Sequence, residues 1–513
     1  MRSFLLACGL CALAAISTHS QGQAAWFGAP IPQGIGDPHR PVVDVRSVSA
    51  AAVRVPGGEE RFGDLVGARI RRDLETIVGF SRHSRAAGDR VWGRVTGFPS
   101  AVSTHAWVAE QFRSAGLQNV QVQAYEASAP MWWATSWDVR VIASPSYGAG
   151  SRDVILESAV PTSGSQIPGG SIVAPLVDVG SVADAALPGV DVRGKIALQH
   201  LKPQSGAYAE RGRTTERARE LTKRGALAIL NVVEQTGNMY VRDFGNGGAP
   251  CFNIGAADGA FLQAVMQRLA QGRPSADLQV QLRLDASTRS NLTGQNTFGV
   301  IPSKSGSISG ESIVVNAHAD GWYDGAGDNA DGLAVLVAMA RHFSRQENRL
   351  DRTLVFVASG GHHSTGLNGP SNFIRLNRDL AGKAVLVLNL EHIAQFQIQA
   401  GTWRVLPTEQ PMNFGISNTA PFLMELGKRG VERYGFNLNP IFDDAVPGDL
   451  GGYEPLKVPR VQAIHSGPMY HTSGDVLETI SIPGLERAAR FYTYFVTEVA
   501  KASRSAIDPQ RKP

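Results

Sequence analysis

Side chains able to hold a metal ion or move a proton recur just past apolar runs. "VVNAHAD" sets His318 and Asp320 after one run, and "GAGDNADG" puts Asp328 at the start of a helical pattern. "VFVASGGHH" brings the adjacent pair His362 and His363, "VLVLNLEH" brings Glu391 and His392, and "YHTSGD" carries His471 beside Tyr470. Histidine nitrogens mixed with carboxylate oxygens, with no cysteine among them, suit zinc or a similar divalent ion, and an aspartate can bridge two such ions. Any one of these residues taken alone is more often structural than functional. Together they describe a hydrolytic metal site that needs no organic cofactor. A histidine such as His362, titrating near neutrality, also suits a general base.

The elements that must position them alternate. From about residue 288 the order is strand, helix, strand, helix, with a helix from Ala330 to Ser344 and a last one near 482 to 501. This pattern predicts an α/β fold: a mostly parallel, doubly wound sheet covered by helices, whose strands deliver the ionisable residues to one rim at their carboxyl ends. Residues 65–159 open that domain with two helical patterns. Residues 160–286, turn-rich and β-rich with few helices, read as an insertion, and 287–503 form the main part of the domain with the metal site. Residues 26–64, rich in Pro and Gly, read as an extended arm or linker, and 504–513 as a disordered tail.

At 513 residues the chain exceeds one small module. Lys+Arg 49 against Asp+Glu 45 leaves a net charge of +4 without a basic stripe, so nucleic acid is not an expected partner. Residues 1–25 have the layout of a signal peptide: one Arg, an apolar run from Phe4 to Ile16 too short to span a bilayer, then small and polar residues. Export to the periplasm or the medium is the expectation, with no membrane span in the mature chain. Cys8 and Cys11 leave with the signal, and the remaining Cys251 reads as buried rather than reactive.

"HADGWYDGAGDNADGLA", "RTLVFVASGGHHSTGLNG", "LNLEHI" and "YHTSGDVLETI" resemble the motif series of metallopeptidase family 28, the co-catalytic zinc exopeptidases that include bacterial aminopeptidases and glutamate carboxypeptidases. The likeness extends over nearly the whole mature chain. "PLVDVGSVADAALPGVDVRGKIALQHL" and "KRGALAILNVV" resemble the protease-associated (PA) domain often inserted in that family. By position, the resemblance implies that His318 binds a first zinc, Asp328 bridges two, and His471 binds the second. Asp320 would orient His318, and Tyr470 would stabilise an oxyanion. The family's usual Glu-Glu pair is His362-His363 here: the first in the place of the general base, the second in that of a ligand. Counted back from Gly366, Ser364 would take the ligand's place instead. The remaining ligand position, usually Asp, holds Glu391.

The function implied is an exported zinc exopeptidase acting on a peptide or amino-acid conjugate. Two other readings stay open. One is a catalytically impaired member acting as a binding protein, prompted by the His-His pair; the other is single-zinc chemistry of the glutaminyl cyclase kind. His392 and His465 match no family ligand and read as packing residues or supports, and His342 as solvated on the outer side of its helix.

Overall fold

A computed structural model describes residues 25–510, apart from 27–28, 148–150, 185, 188, 203–206, 243, 273–275, 309 and 465–466. The signal-peptide segment, save Ala25, and His465 lie outside the described residues.

The ionisable rim is carried by an eight-stranded sheet. Its strands are β1 (Gln118–Glu126), β2 (Thr293–Ile301), β3 (Ser312–His318), β4 (Thr353–Ser359), β5 (Ala384–Leu390), β6 (Met412–Ile416), β7 (Leu438–Phe442) and β8 (Arg460–Ile464), in the order β7-β6-β8-β5-β3-β4-β2-β1. The central strands β8, β5, β3 and β4 run parallel, while β2 and β1 extend one edge antiparallel and β6 pairs antiparallel with β8. Every residue of β3, β4 and β5 is buried, which explains why these runs read as continuous Val, Leu and Ala rather than as alternation.

Both faces are covered. On one lie α1 (Gly67–Ala86), α2 (Pro99–Ala115), α3 (Asp331–Ser344), α5 (Pro421–Tyr434) and α6 (Ile482–Lys501), their core including Leu74, Phe112, Leu336, Phe356, Leu386 and Phe495. The opposite face is closed by α4 (Gly369–Leu376) and the turn of 3-10 helix Gly448–Leu456, through Phe373 and Tyr453. From β3 the chain crosses over to β4 on one side, then returns to β5 on the other. The crevice at the carboxyl ends of β3 and β5 is therefore a topological switch point, where sheets of this kind leave room for a site.

A second eight-stranded sheet is built from residues 131–289, between β1 and β2, which pair directly with each other; the insertion therefore begins before the expected 160–286, because Met131–Val141 pairs antiparallel with Gln279–Arg289 rather than with the main sheet. Its order is Val154–Ile155, Met131–Val141, Gln279–Arg289, Ser171–Ser181, Ile196–Leu201, Ala228–Val233, Cys251–Gly255 and Val160–Pro161. It has its own core, around Trp137, Leu230 and Phe252, into which the main sheet's connections send Trp92, Trp322 and Tyr323. Cys251 is fully buried in a separate cluster of this unit, with Val179, Leu221 and Ile229, and its thiol is pushed up to about 12 by burial.

Two expectations need correction. Residues 504–510 do not trail away, since Ser503 caps a helical turn (Arg504–Ile507) by accepting from Ala506 N and Ile507 is buried in the main core. Nor is His342 solvated. α3 lies between the sheet and α1, α2 and α6, so it has almost no outer side, and the His342 imidazole is buried with Nδ1 donating to Asp64 Oδ1 at 2.9 Å. Burial raises the Asp64 carboxyl, but the His342 hydrogen bond and charge outweigh it and hold the group below its ordinary 3.8.

Asp64→Ala leaves a buried imidazole without its acceptor and is expected to cost about 1–3 kcal/mol of stability in urea unfolding at pH 7. Because the folded-state pKa is depressed, that contribution is present above 3.8 and disappears as pH falls through the folded value. Equal stability of wild type and variant at pH 7 would contradict it.

Candidate metal centre

Each expected residue arrives at the switch point from its own element. His318 ends β3, Asp320 follows it, Asp328 lies in the turn entering α3, His362 and His363 follow β4, Glu391 and His392 follow β5, and His471 lies beyond β8. All are buried or nearly so.

The Asp328 carboxylate is shared. On one side, Oδ2 lies 3.1 Å from His363 Nε2 and 3.0 Å from His471 Nε2, which are themselves 2.9 Å apart. On the other, Oδ1 lies 3.4 Å from His318 Nε2 and 3.2 Å from His392 Nε2, with Glu391 Oε1 3.8 Å from His318 Nε2. Donors bound tetrahedrally to a zinc ion at about 2.0–2.1 Å stand about 3.3 Å apart. His318 Nε2, Asp328 Oδ1 and Glu391 Oε1 are buried without a hydrogen-bond partner, a costly condition that an ion among them would relieve. The residues present fit two divalent ions, one on each oxygen of Asp328.

Electrostatics leads to the same conclusion. Burial would lower the histidine pKa values and raise those of the carboxyls, yet mutual attraction reverses both. Despite burial, His318 is raised to about 10 by Asp320 and Asp328, and His363 and His392 to about 9, chiefly by Asp328. His362 is also raised to about 9, with Glu391 and Asp449 overcoming burial and the repulsion of His318. Asp320 and Asp328 are held well below the usual carboxylate range by the same histidines, against the effect of burial. The pocket demands positive charge, and in the metal-free chain protons on imidazoles supply it.

Supports fix these donors. Asp475 accepts from Gly327 N at 2.8 Å and Asp328 N at 3.0 Å, holding the bridging aspartate by its own backbone. Asn329 donates Nδ2 to Leu390 O at 2.8 Å and accepts from His392 N at 3.3 Å, tying this turn to the end of β5. The fully buried Arg94 donates to the carbonyls of Ala319, Asp324 and Gly325, bracing the loop between β3 and Asp328. Gly321 is required beneath it, since a Cβ would stand 2.6 Å from the Arg94 guanidinium and 2.5 Å from Asp328 O.

Other placements refine the sequence expectations. His318 Nδ1 donates to the carbonyl of Asp320 at 3.0 Å, while the Asp320 carboxylate accepts from the backbone of His362 at 3.3 Å and His363 at 3.0 Å. Asp320 thus orients His318 through its backbone and shapes the His-His turn through its side chain. Of His363 and Ser364, the two candidates for the ligand's place, it is His363 whose Nε2 lies beside Asp328. Tyr470 stacks on His471, with ring centroids 3.6 Å apart, and lines a small cleft with Asp328, His392 and Gln395. His392 is no packing residue, because its Nε2 faces Asp328. Asp449 was not singled out from sequence: in the turn of 3-10 helix before β8, with no strand or motif to mark it, it accepts from His362 Nδ1 at 2.8 Å.

Residues 296–496 match the family model for Peptidase family M28. Aminopeptidase YwaD of Bacillus subtilis is 26% identical over 371 residues, covering 69% of this chain and 72% of that protein. Among solved structures, a Peptidase M28 precursor from Shewanella amazonensis superposes with a TM-score of 0.66 at 17% identity, covering 89% of this chain and 98% of that one. The zinc aminopeptidase BSAP from Bacillus subtilis gives 0.58 at 22% identity, covering 86% and 98%. These likenesses establish the fold.

Metal uptake has a defined pH dependence. Histidines raised to about 9 or 10 carry protons at pH 7 that a bound cation must displace, so zinc affinity is expected to rise from pH 6 to pH 9 with proton release on binding. Calorimetry in two buffers of different ionisation enthalpy measures the release, and pH-independent affinity would contradict the account. In the metal-free chain the raised histidines contribute stability below 6.5 that is lost as pH rises through about 9 to 10. Thermal stability of metal-free and zinc-loaded chains should diverge over that interval.

Proposed function

We propose that this protein, whose residues 296–496 match the model for Peptidase family M28, is a zinc-dependent exopeptidase acting on peptides after export. The observation that carries the reading is the single buried carboxylate, Asp328, with two histidine-containing donor groups meeting its two oxygens. His318, Asp328 and Glu391 would hold one ion, and His363, Asp328 and His471 the other. Zinc bound there supplies Lewis-acid polarisation of the scissile carbonyl and acidification of a water.

The chain's own residues supply the rest. Asp449 accepts from His362 Nδ1, which fixes the tautomer and leaves Nε2, 3.6 Å from Glu391 Oε1, to take a proton from water and return it to the leaving amine. Glu391 and Asp449 raise His362 in the metal-free cluster; a cation held beside it would oppose that rise and favour the neutral imidazole that can accept a proton. Asp449 is itself secured by Ser359 Oγ at 2.6 Å and Asn316 Nδ2 at 2.9 Å. The Tyr470 hydroxyl is assigned to the developing oxyanion, a role supported by the ring's place on His471 at the cleft wall.

Removal of amino-terminal residues is favoured over carboxyl-terminal cleavage, supported by the name of the Bacillus subtilis relative. We read the unit of residues 131–289 as the protease-associated insertion, supported by its sequence motifs, and residues 1–25 as the export signal, supported by their composition. The inserted unit adjoins the site: Arg242 N donates to His471 O at 3.0 Å, and Ser473 N to Tyr240 O at 3.0 Å.

With zinc, the chain from residue 26 is expected to hydrolyse unblocked aminoacyl p-nitroanilides, and a chelator to abolish the activity. His362→Gln should lower kcat by about 10²–10⁴ with KM little changed, the usual range for loss of a general base. Asp449→Asn should lower kcat less. A fully metal-loaded chain that cleaves no peptide, blocked or unblocked, would overturn the reading in favour of a binding protein.

A further inference from the structure

The hydrolytic reading makes no use of His392, yet its imidazole is buried and Nε2 lies 3.2 Å from Asp328 Oδ1 and 4.0 Å from Glu391 Oε1. His318 Nε2 stands 3.4 Å from the same Asp328 oxygen and 3.8 Å from the same Glu391 oxygen. Four of the six edges among these donors run from 3.2 to 4.0 Å, bracketing the edge of about 3.3 Å in a zinc tetrahedron, and the donor atoms of His318, Asp328 and His392 all lie within 4.8 Å of one another. On the other side of Asp328 three donors complete a triangle, from His363, His471 and Asp328 Oδ2.

The backbone supports the comparison. His392 and His471 both adopt φ near 54°, in the left-handed region that side-chain-bearing residues rarely occupy. In each case that turn aims Nε2 at Asp328. The His392 turn is held by Asn329, next in the chain to Asp328, which accepts from His392 N.

We propose that His392 is the fourth protein donor to the ion on the His318 side, so that the centre is asymmetric. One ion is closed by two imidazoles and two carboxylates, while the other keeps an open position. The distinction matters because fully protein-coordinated zinc sites are structural, whereas sites with three protein donors leave room for water or substrate. Incoming ligands, including small anions and the substrate carbonyl, would bind the His363–His471 ion. The inference rests on the reading that the cluster holds two ions.

Cobalt(II) is the probe, added to the metal-free chain from residue 26 and followed by visible absorption and metal content. The first equivalent should give the intense band of a four-coordinate ion, unmoved by azide, and the second a band that azide shifts. In His392→Ala, and in the closer-sized His392→Gln, one equivalent should bind at least ~10-fold more weakly, with the remaining bands azide-sensitive. Either variant keeping wild-type affinity and an azide-insensitive band would overturn the inference, as would azide sensitivity of both wild-type equivalents. If circular dichroism shows both variants misfolded, the wild-type azide response decides alone. A chain that takes up no cobalt overturns the two-ion reading as well, whereas two bound equivalents unaffected by His392 replacement overturn only this inference.

Discussion

A carboxylate buried in a low-dielectric interior must find positive charge or give up its own, and Asp328 is where this protein meets that constraint. Four imidazoles gather around its two oxygens, His318 and His392 on one side and His363 and His471 on the other, with Glu391 facing His318 and His392. The surrounding polar residues hold that carboxylate in place. Asp475 secures the backbone that carries it, Asn329 joins it to the next strand end, and Arg94 braces the loop before it. The α/β sheet contributes the switch point, where the ends of β3, β4 and β5 bring these residues together.

What the sequence could reveal follows from geometry along the chain. A parallel sheet places strand ends on one rim, so His318, His362, His363, Glu391 and His471 could be read from their positions after apolar runs. That rule works only for residues next to a strand. Asp449 lies in a turn of 3-10 helix and Asp475 beyond the last strand, and both meet the site through tertiary packing that no local pattern encodes. His342 shows the opposite failure. Helical periodicity implied a wet side, but a helix enclosed by three others has none, and an isolated polar residue on it finds a buried carboxylate partner. His392 matches no family ligand and so reads from sequence as packing or support; the left-handed turn at this position aims its Nε2 at Asp328 Oδ1.

The second sheet bears on function through a narrow connection. The segment that carries Tyr240 and Arg242 pairs with the loop that carries Tyr470 and His471, and the Arg242 guanidinium lies over the Trp322 ring at 4.0 Å. Residues far apart in sequence thus meet beside His471.

The most direct measurement is the anomalous scattering of zinc in crystals of the chain from residue 26. The account predicts two peaks about 3.5–4 Å apart, one on each side of the Asp328 carboxylate, as in other two-metal hydrolytic centres. A single peak, or none within reach of Asp328, would contradict it.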